Sequence, residues 1–227
     1  MDQNNKDIQR IRMMSFFVEA TQEIIDREGI EGVTARKVAQ RAGYNPATLY
    51  NYFENLDYLV GFSSIKYLRD YHRSLLEEVE GIKDPEARFL KVWEKFCYYS
   101  YHNPKIYRAI FFKTPHYTVC ELFQYYFKMF PQELDAHDKD IQAMLQGCTL
   151  AARNMTVLVE VLEAGILKPM TREEITQLNE MMISLYRGIL TELIEDEISQ
   201  EQIPHLVEKT MGYLKRLLDG VRQTQSP

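Results

Sequence analysis

An all-α fold is what this sequence predicts: a small N-terminal domain of three helices, then a larger helical domain. Three observations carry the prediction. The 10 Gly and 8 Pro make up about 8% of the 227 residues, against a usual share of about 12%, so breakers are too few for many short strands. Apolar residues recur at three- and four-residue spacing over most of the chain, the period of a helix with one buried face. Helix starts are also spelled out locally. Asn45–Pro46, Asp84–Pro85 and Asn103–Pro104 each place a capping side chain before a proline, and Thr171-x-x-Glu174 and Ser199-x-x-Gln202 read as capping boxes.

In chain order, the first helix runs from Ile8 to about Arg27 with Ile11, Phe17, Ala20, Ile24 and Ile25 inward, and ends near Gly29. Thr34 caps a short helix over Ala35–Ala42, whose inner face holds Val38 and Ala42. Gly43 stops it, since glycine tolerates positive φ. Asn45 and Pro46 start another short helix that reads through about Phe53. Two short helices about three residues apart have helix-turn-helix spacing. Longer helices are expected at about 56–80, 85–102, 104–113, 116–129, 138–164, 171–196 and 203–221, although 117–127 (YTVCELFQYYF) also reads as a strand. The expected domains are residues 1–55 and 56–227.

Composition excludes several classes. With 45% hydrophobic and 26% charged residues the chain is an ordinary globular protein. Runs free of Asp, Glu, Lys and Arg reach only 12 residues, at Ala42–Phe53 and Ile141–Ala152, short of the ~20 apolar residues of a spanning helix. The start, MDQNNKDIQR, lacks the apolar core of a secretory signal. Cys97, Cys120 and Cys148 form no disulfide or zinc pattern, so a reducing cytoplasm is expected. The five histidines show no metal-ligand spacing, and His137 in DAHDKD reads as part of a solvated loop. No metal and no cofactor are expected. Paired carboxylates with a role, a nucleophile elbow and a phosphate loop are all missing, which argues against an enzyme. A net charge of −6 means that any contact with nucleic acid must be local.

Such a local feature exists. At 100° per residue, Ala47, Thr48, Asn51 and Tyr52 fall on one side of the second short helix, and Pro46, Leu49, Tyr50 and Phe53 on the other. Leu49 and Phe53, four apart, anchor it, leaving a small residue, a hydroxyl, an amide and a phenol outward. Those groups suit base edges and phosphate oxygens. Between Gly32 and Phe53 there is no acid, while Arg36, Lys37 and Arg41 lie on the preceding helix, so a phosphate backbone meets local attraction.

The segment GVTARKVAQRAGYNPATLYNYFENLDYLV (Gly32–Val60) closely resembles the N-terminal signature of the TetR family of bacterial transcriptional regulators. Val33–Thr34, Val38–Ala39, Ala42–Gly43, Thr48–Leu49–Tyr50, Tyr52–Phe53 and Leu59 carry the likeness, as does the Gly–Ile–Glu–Gly turn at 29–32. The resemblance covers about residues 8–60 and is architectural beyond. It implies a homodimer that binds a double-stranded, palindromic operator, most simply as a repressor. By position, Thr34 would touch phosphate, Pro46, Ala47, Thr48 and Asn51 would face the major groove, and Tyr50 and Tyr52 would hold the backbone. Arg36 and Lys37 would add charge. Leu56 stands where the family usually has a lysine, which removes one phosphate contact and keeps open a second reading, an adaptor of the same fold that binds protein. Lys6, Arg10 and Arg12 offer compensating charge.

Residues 89–130 hold 15 of the 27 aromatics, and consecutive pairs such as Tyr98–Tyr99 cannot all face one way on a helix. A mostly apolar cavity with a few phenols is the usual form of a small-molecule site, and the resemblance places an effector pocket among these helices. Trp93, Phe96, Tyr99, Tyr107, Phe111, Phe112 and Tyr126 are the candidate lining for a small hydrophobic effector. Its charge stays open: the acid-free stretch Lys95–Cys120 favours an anionic or neutral aromatic or acyl compound, whereas Glu160 and Glu163 favour a cation. The uncharged run Ile141–Ala152 and the apolar Met155–Leu162 must be buried on more than one side. The helix at 171–196 carries an inner set, Ile175, Leu178, Met182, Leu185 and Ile189, and a second set, Met181, Leu190 and Ile194. Helices at about 138–164 and 171–196 are therefore the expected homodimer face, a four-helix intermolecular bundle. The resemblance further implies that effector entry shifts the long helix at 56–80 and changes the separation of the two recognition helices.

Overall fold

The computed structural model describes residues 2–79, 81–112, 126, 144–145, 147, 149–196 and 198–223. Among them the secondary structure is helical, apart from a single antiparallel bridge between Leu167 and Arg222. The chain forms two compact units, Met1–Leu68 with Lys105–Leu134 and Arg69–Pro104 with Asp135–Pro227.

The first unit begins with α1 (Asp2–Glu28), followed by a 3-10 turn at Ile30–Gly32, α2 (Ala35–Ala42), α3 (Pro46–Leu49) and α4 (Leu56–Ser64). α1 packs against both α2 and α4, and α2 against α3. Phe17 sits at the centre, fully buried, with the rings of Tyr44, Tyr52 and Phe53 at 5.5, 6.0 and 6.3 Å. Ala20, Ile24 and Ile25 of α1 are buried as their spacing predicts, each large apolar side chain contributing about 1.5–3 kcal/mol. The inward pair of α2 is Val38 and Ala39, with Ala42 only half-buried. Lys105, on α7 (Pro104–Phe111), pairs with Glu31 at 3.3 Å.

The second unit contains α5 (Arg69–Glu78), α6 (Pro85–His102), α8 (Leu150–Glu163), α9 (Arg172–Glu195) and α10 (Ile203–Asp219). α6 is its axis and contacts α5, α8, α9 and α10. Tyr186 of α9 stacks on Tyr101 of α6 at 6.0 Å, and the Tyr101 hydroxyl shares a 2.9 Å hydrogen bond with Thr210 of α10. Arg88 of α6 pairs with Glu160 of α8 at 3.5 Å. The Asp84 cap and the Thr171–Glu174 capping box form as their spacing predicts. Gln202 also accepts from the Ser199 amide at 3.2 Å, opening a short 3-10 turn ahead of α10.

Several helices differ from their expected lengths, among them α1, which starts at Asp2 rather than Ile8. The recognition helix stops at Leu49, not Phe53, and continues as tightened turns, Tyr52 N–H to Leu49 O at 3.0 Å and Phe53 N–H to the same oxygen at 3.0 Å. The single helix expected at 56–80 is α4, a 3-10 turn at Ile65–Leu68, and α5. Adjacent side chains in that turn, Lys66 and Tyr67, both reach Asp26 of α1, at 2.8 and 2.5 Å, a non-local pull that spacing does not register. α7 ends at Phe111 rather than 113. Within the stretch expected as one helix at 138–164, α8 starts at Leu150, where Thr149 caps it in extended conformation and accepts from the Ala152 amide at 3.0 Å; Met144 and Leu145 are also helical, and the rest of 138–148 apart from Gly147 lies outside the described residues. The expected helix or strand at 116–129, the DAHDKD stretch, Cys120 and Cys148 lie outside the described residues, Tyr126 excepted.

Candidate functional site

Two features concentrate chemistry, one in each unit. The first is the exposed face of α3. Asn45 caps the helix, its Oδ1 accepting from the Thr48 amide at 3.0 Å, and Pro46 occupies the first turn. Gly43, at φ 81°, closes α2 in the left-handed region and lets the Tyr44 amide reach the Ala39 carbonyl at 2.8 Å; a side chain there would strain the turn. Leu49 and Phe53 are buried and fix the rotation of α3. Pro46, Ala47, Tyr50 and Asn51 are then exposed, and Thr48 and Tyr52 are half-buried. Pro46 and Tyr50, which the wheel places with the anchors, point outward instead; Tyr50 already lies past the last helical residue, Leu49.

The surrounding charge is more constrained than the sequence suggests. Thr34 is exposed and caps α2, accepting from the Lys37 amide at 3.2 Å. Lys37 is ion-paired to Glu28 of α1, and Arg41 to Glu23. Arg36 makes no ion pair among the described residues and is exposed. Arg10 lies over the Tyr52 ring, 5.6 Å from its centroid. Leu56 begins α4 behind the Asn55 cap and is half-buried, so no cation stands there. The α1 acids were not recognised at the sequence level because they lie 9 and 18 residues away from their partners.

The second feature is a narrow cavity of about 20 Å³, room for about one water, in the second unit. Its walls are Val92, Trp93 and Phe96 of α6, Leu150 and Val157 of α8, and Met144. Three polar groups join them: Tyr71 of α5, and Arg153 and Asn154 of α8. Asn154 is fully engaged. Its Oδ1 accepts from the Trp93 indole at 2.7 Å, and its amide donates to Asn179 of α9 at 2.8 Å. Asn179 in turn donates to the Ala151 carbonyl at 2.9 Å. Arg153, also buried, donates to the carbonyls of Leu145 at 2.7 Å and Gly147 at 3.0 Å. Gly147 permits that approach, since a Cβ there would lie 2.8 Å from Cγ of Arg153.

The charge of Arg153 is felt by its neighbours. Burial pushes the Tyr71 phenol above its ordinary range, with Arg153 pulling the other way. Burial, reinforced by Arg153, holds His72 down at about 3, so it is neutral.

Of the seven candidate effector residues, Trp93 and Phe96 line this cavity. Tyr99 is half-buried and packs on Tyr71 at 6.3 Å without lining it. Tyr107, Phe111, Phe112 and Tyr126 belong to the first unit: Tyr107 and Phe111 pack together at 6.2 Å, and Tyr126 packs edge-on against Phe62 at 5.6 Å. Tyr71, Arg153 and Asn154 went unrecognised at the sequence level. A lone Arg–Asn pair in an apolar stretch was the available signal. The acids that left the effector charge open are accounted for, Glu160 by its pair with Arg88 and Glu163 by exposure. Two cations of the acid-free stretch are likewise engaged, Lys95 with Glu78 and Lys105 with Glu31.

A helix-turn-helix with its second helix exposed is followed by a helical unit with a cavity. The family model described as bacterial regulatory proteins, tetR family, matches residues 17–60, the segment that carries the helix-turn-helix. Solved structures extend the likeness of fold to the whole chain. The TetR-family repressor FadR of Thermus thermophilus, solved with lauroyl-CoA, is 17% identical, with TM-score 0.59 over 94% of this chain and 98% of its own. RolR, solved with resorcinol, is 11% identical, with TM-score 0.53 over 97% and 98%. A TetR regulator from Haloarcula marismortui is 15% identical, with TM-score 0.53 over 93% and 99%. No curated protein matches by sequence.

Proposed function

We propose that the protein is a homodimeric repressor that occupies a palindromic operator in the cytoplasm and leaves it when a small hydrophobic molecule enters the second unit. Residues 1–55 read DNA, and 56–227 sense the effector and dimerise. It is a regulator, not an enzyme. The observation that carries this reading is the α3 face, where Pro46, Ala47, Thr48 and Asn51 stand outward over buried Leu49 and Phe53. Asn and Thr there can pair with adenine and with either base or phosphate in the major groove.

Two further observations support it. α8 carries Met155, Val159 and Leu162 half-exposed, and α9 carries Met181, Leu185 and Gly188 at the same spacing, four then three residues apart. Two such stripes from each protomer suit a two-fold bundle, and a two-fold dimer sets recognition helices about 34–36 Å apart. Within the expected second set, Leu190 is buried and only Met181 is fully available. FadR and RolR, of the same fold, were solved with an acyl-CoA and a small phenol, and the walls of the cavity, narrow as it is, are of the apolar kind that a hydrophobic effector would meet. Tyr71 on α5 stands at its wall, three residues beyond the 3-10 turn that follows α4. Effector binding there favours a form unable to hold DNA, and a coupling of about 1–3 kcal/mol releases it 5–150-fold.

The test is selection of bound fragments from the source genome by the wild type and by Thr48→Ala/Asn51→Ala, at two salt concentrations. A palindromic site bound by the wild type and lost in the variant is the expected result. Sequence-blind binding that vanishes with salt would reject it and favour an adaptor of the same fold.

A further inference from the structure

We infer, resting on the reading of α3 as the recognition helix of an operator-binding protein, that the base pairs it meets in each half-site are A·T, with Asn51 on an adenine. Every group on the outward face of α3 is uncharged. Ala42–Phe53 contains no Asp, Glu, Lys or Arg. Neither arginine nor lysine is therefore available there to take the paired acceptors of guanine, the commonest specific contact in the major groove. Lys37 and Arg41 are held by Glu28 and Glu23. Arg36 lies on α2, the helix of the motif that crosses the phosphate backbone.

What the face does offer matches adenine and thymine. Asn51 is exposed, and its side chain makes no hydrogen bond among the described residues. Its amide carries a donor and an acceptor side by side, the complement of N7 and N6 of adenine. Against guanine, which presents two acceptors, the amide oxygen would face another oxygen. Thr48 is narrowed by the structure, because its Oγ1 donates to Oδ1 of Asn45 at 3.3 Å. With that proton committed, the hydroxyl can accept from an exocyclic amine but has nothing to give to N7 or O6 of guanine. The Tyr50 phenol is exposed, yet one donor cannot satisfy both guanine acceptors. The Thr48 methyl, Ala47 and the Pro46 ring are apolar, and thymine alone of the four bases presents a methyl in this groove. α3 has four residues and is about 6 Å long, so it covers about two or three base pairs at about 3.4 Å per step.

The full chain is challenged with a library of random duplexes, which supplies all four bases equally, and the bound sequences are read. The expected site is two-fold symmetric, with two or three successive A·T pairs recurring in each half. Asn51→Ala, at an exposed position, is expected to erase an adenine preference at one pair per half-site, worth about 5- to 150-fold over the other bases. Asn51→Arg is expected to turn the preference at that same pair to guanine. Unchanged far-UV dichroism shows that both variants fold, and the wild-type selection requires neither. G·C pairs at the positions that Asn51→Ala alters would overturn the base assignment. So would an affinity that falls evenly in Asn51→Ala with every base preference intact, because Asn51 would then hold phosphate. Either result leaves the regulator reading standing, since a specific site has been found. Sequence-blind binding by the wild type sinks both.

Discussion

At the scale of single residues, the cations beside the recognition helix are already occupied. Lys37 and Arg41 answer Glu28 and Glu23 across the α1–α2 groove. Both pairs are exposed, so each holds the fold by no more than about 1 kcal/mol. Their larger effect falls on DNA, because a phosphate must compete with a carboxylate for the same cation. Glu23→Gln/Glu28→Gln is expected to leave the unfolding midpoint nearly unchanged and to raise operator affinity several-fold. The salt dependence should steepen by up to about one counterion per released cation. Anisotropy titrations from low to high salt check both numbers, and an unchanged slope would mean that neither cation reaches the backbone. Of the residues that point outward at α3, Ala47 and Asn51 were readable from the wheel, and Pro46 and Tyr50 were not. The pairing of their neighbours was not, since an ion pair across 18 residues leaves no periodic mark.

Among elements, the join of α6, α8 and α9 depends on one polar chain inside an apolar core, Trp93 to Asn154 to Asn179 to the Ala151 carbonyl. Each donor in it is satisfied, and removing the middle member strands two others. Asn154→Leu is expected to cost about 2–4 kcal/mol, from the unmade bonds of a buried indole and a buried amide. Urea unfolding gives that value. A loss within 0.5 kcal/mol would show the chain to be dispensable. Helix starts at this scale were legible because a cap is a local event, an oxygen meeting an amide three residues on, as at Asn45, Asp84 and Thr171. Helix interruptions were less so. The turn at Ile65–Leu68 coincides with the grip of Asp26 on Lys66 and Tyr67. That grip also holds the Asp26 carboxyl below its usual range, against the opposing effect of burial.

For the whole molecule, regulation as proposed requires two copies. The apolar stripes of α8 and α9 are the surfaces that would bring them together, and Met181, half exposed, is the most accessible side chain on either stripe. Met181→Glu places two like charges across the proposed two-fold axis. The expected outcome is a folded monomer by sedimentation velocity, with unchanged helicity and operator affinity reduced at least about a hundredfold, because a monomer engages one half-site only. A variant that stays dimeric would move the interface elsewhere.

The sequence by itself determined the helical class, most helix starts, the helix-turn-helix and part of the face it exposes. All of these depend on neighbours within a turn or two, where spacing, capping chemistry and backbone freedom act directly. Only the tertiary structure decided which aromatics meet. It put Trp93 and Phe96 on the cavity with Tyr71 and Arg153, and left Tyr107, Phe111, Phe112 and Tyr126 to the other unit. Composition counts aromatic side chains but carries no record of their partners. Burial and charge pairing are settled between segments far apart in the chain, where the cost of an unsatisfied polar group, rather than any local preference, selects the arrangement.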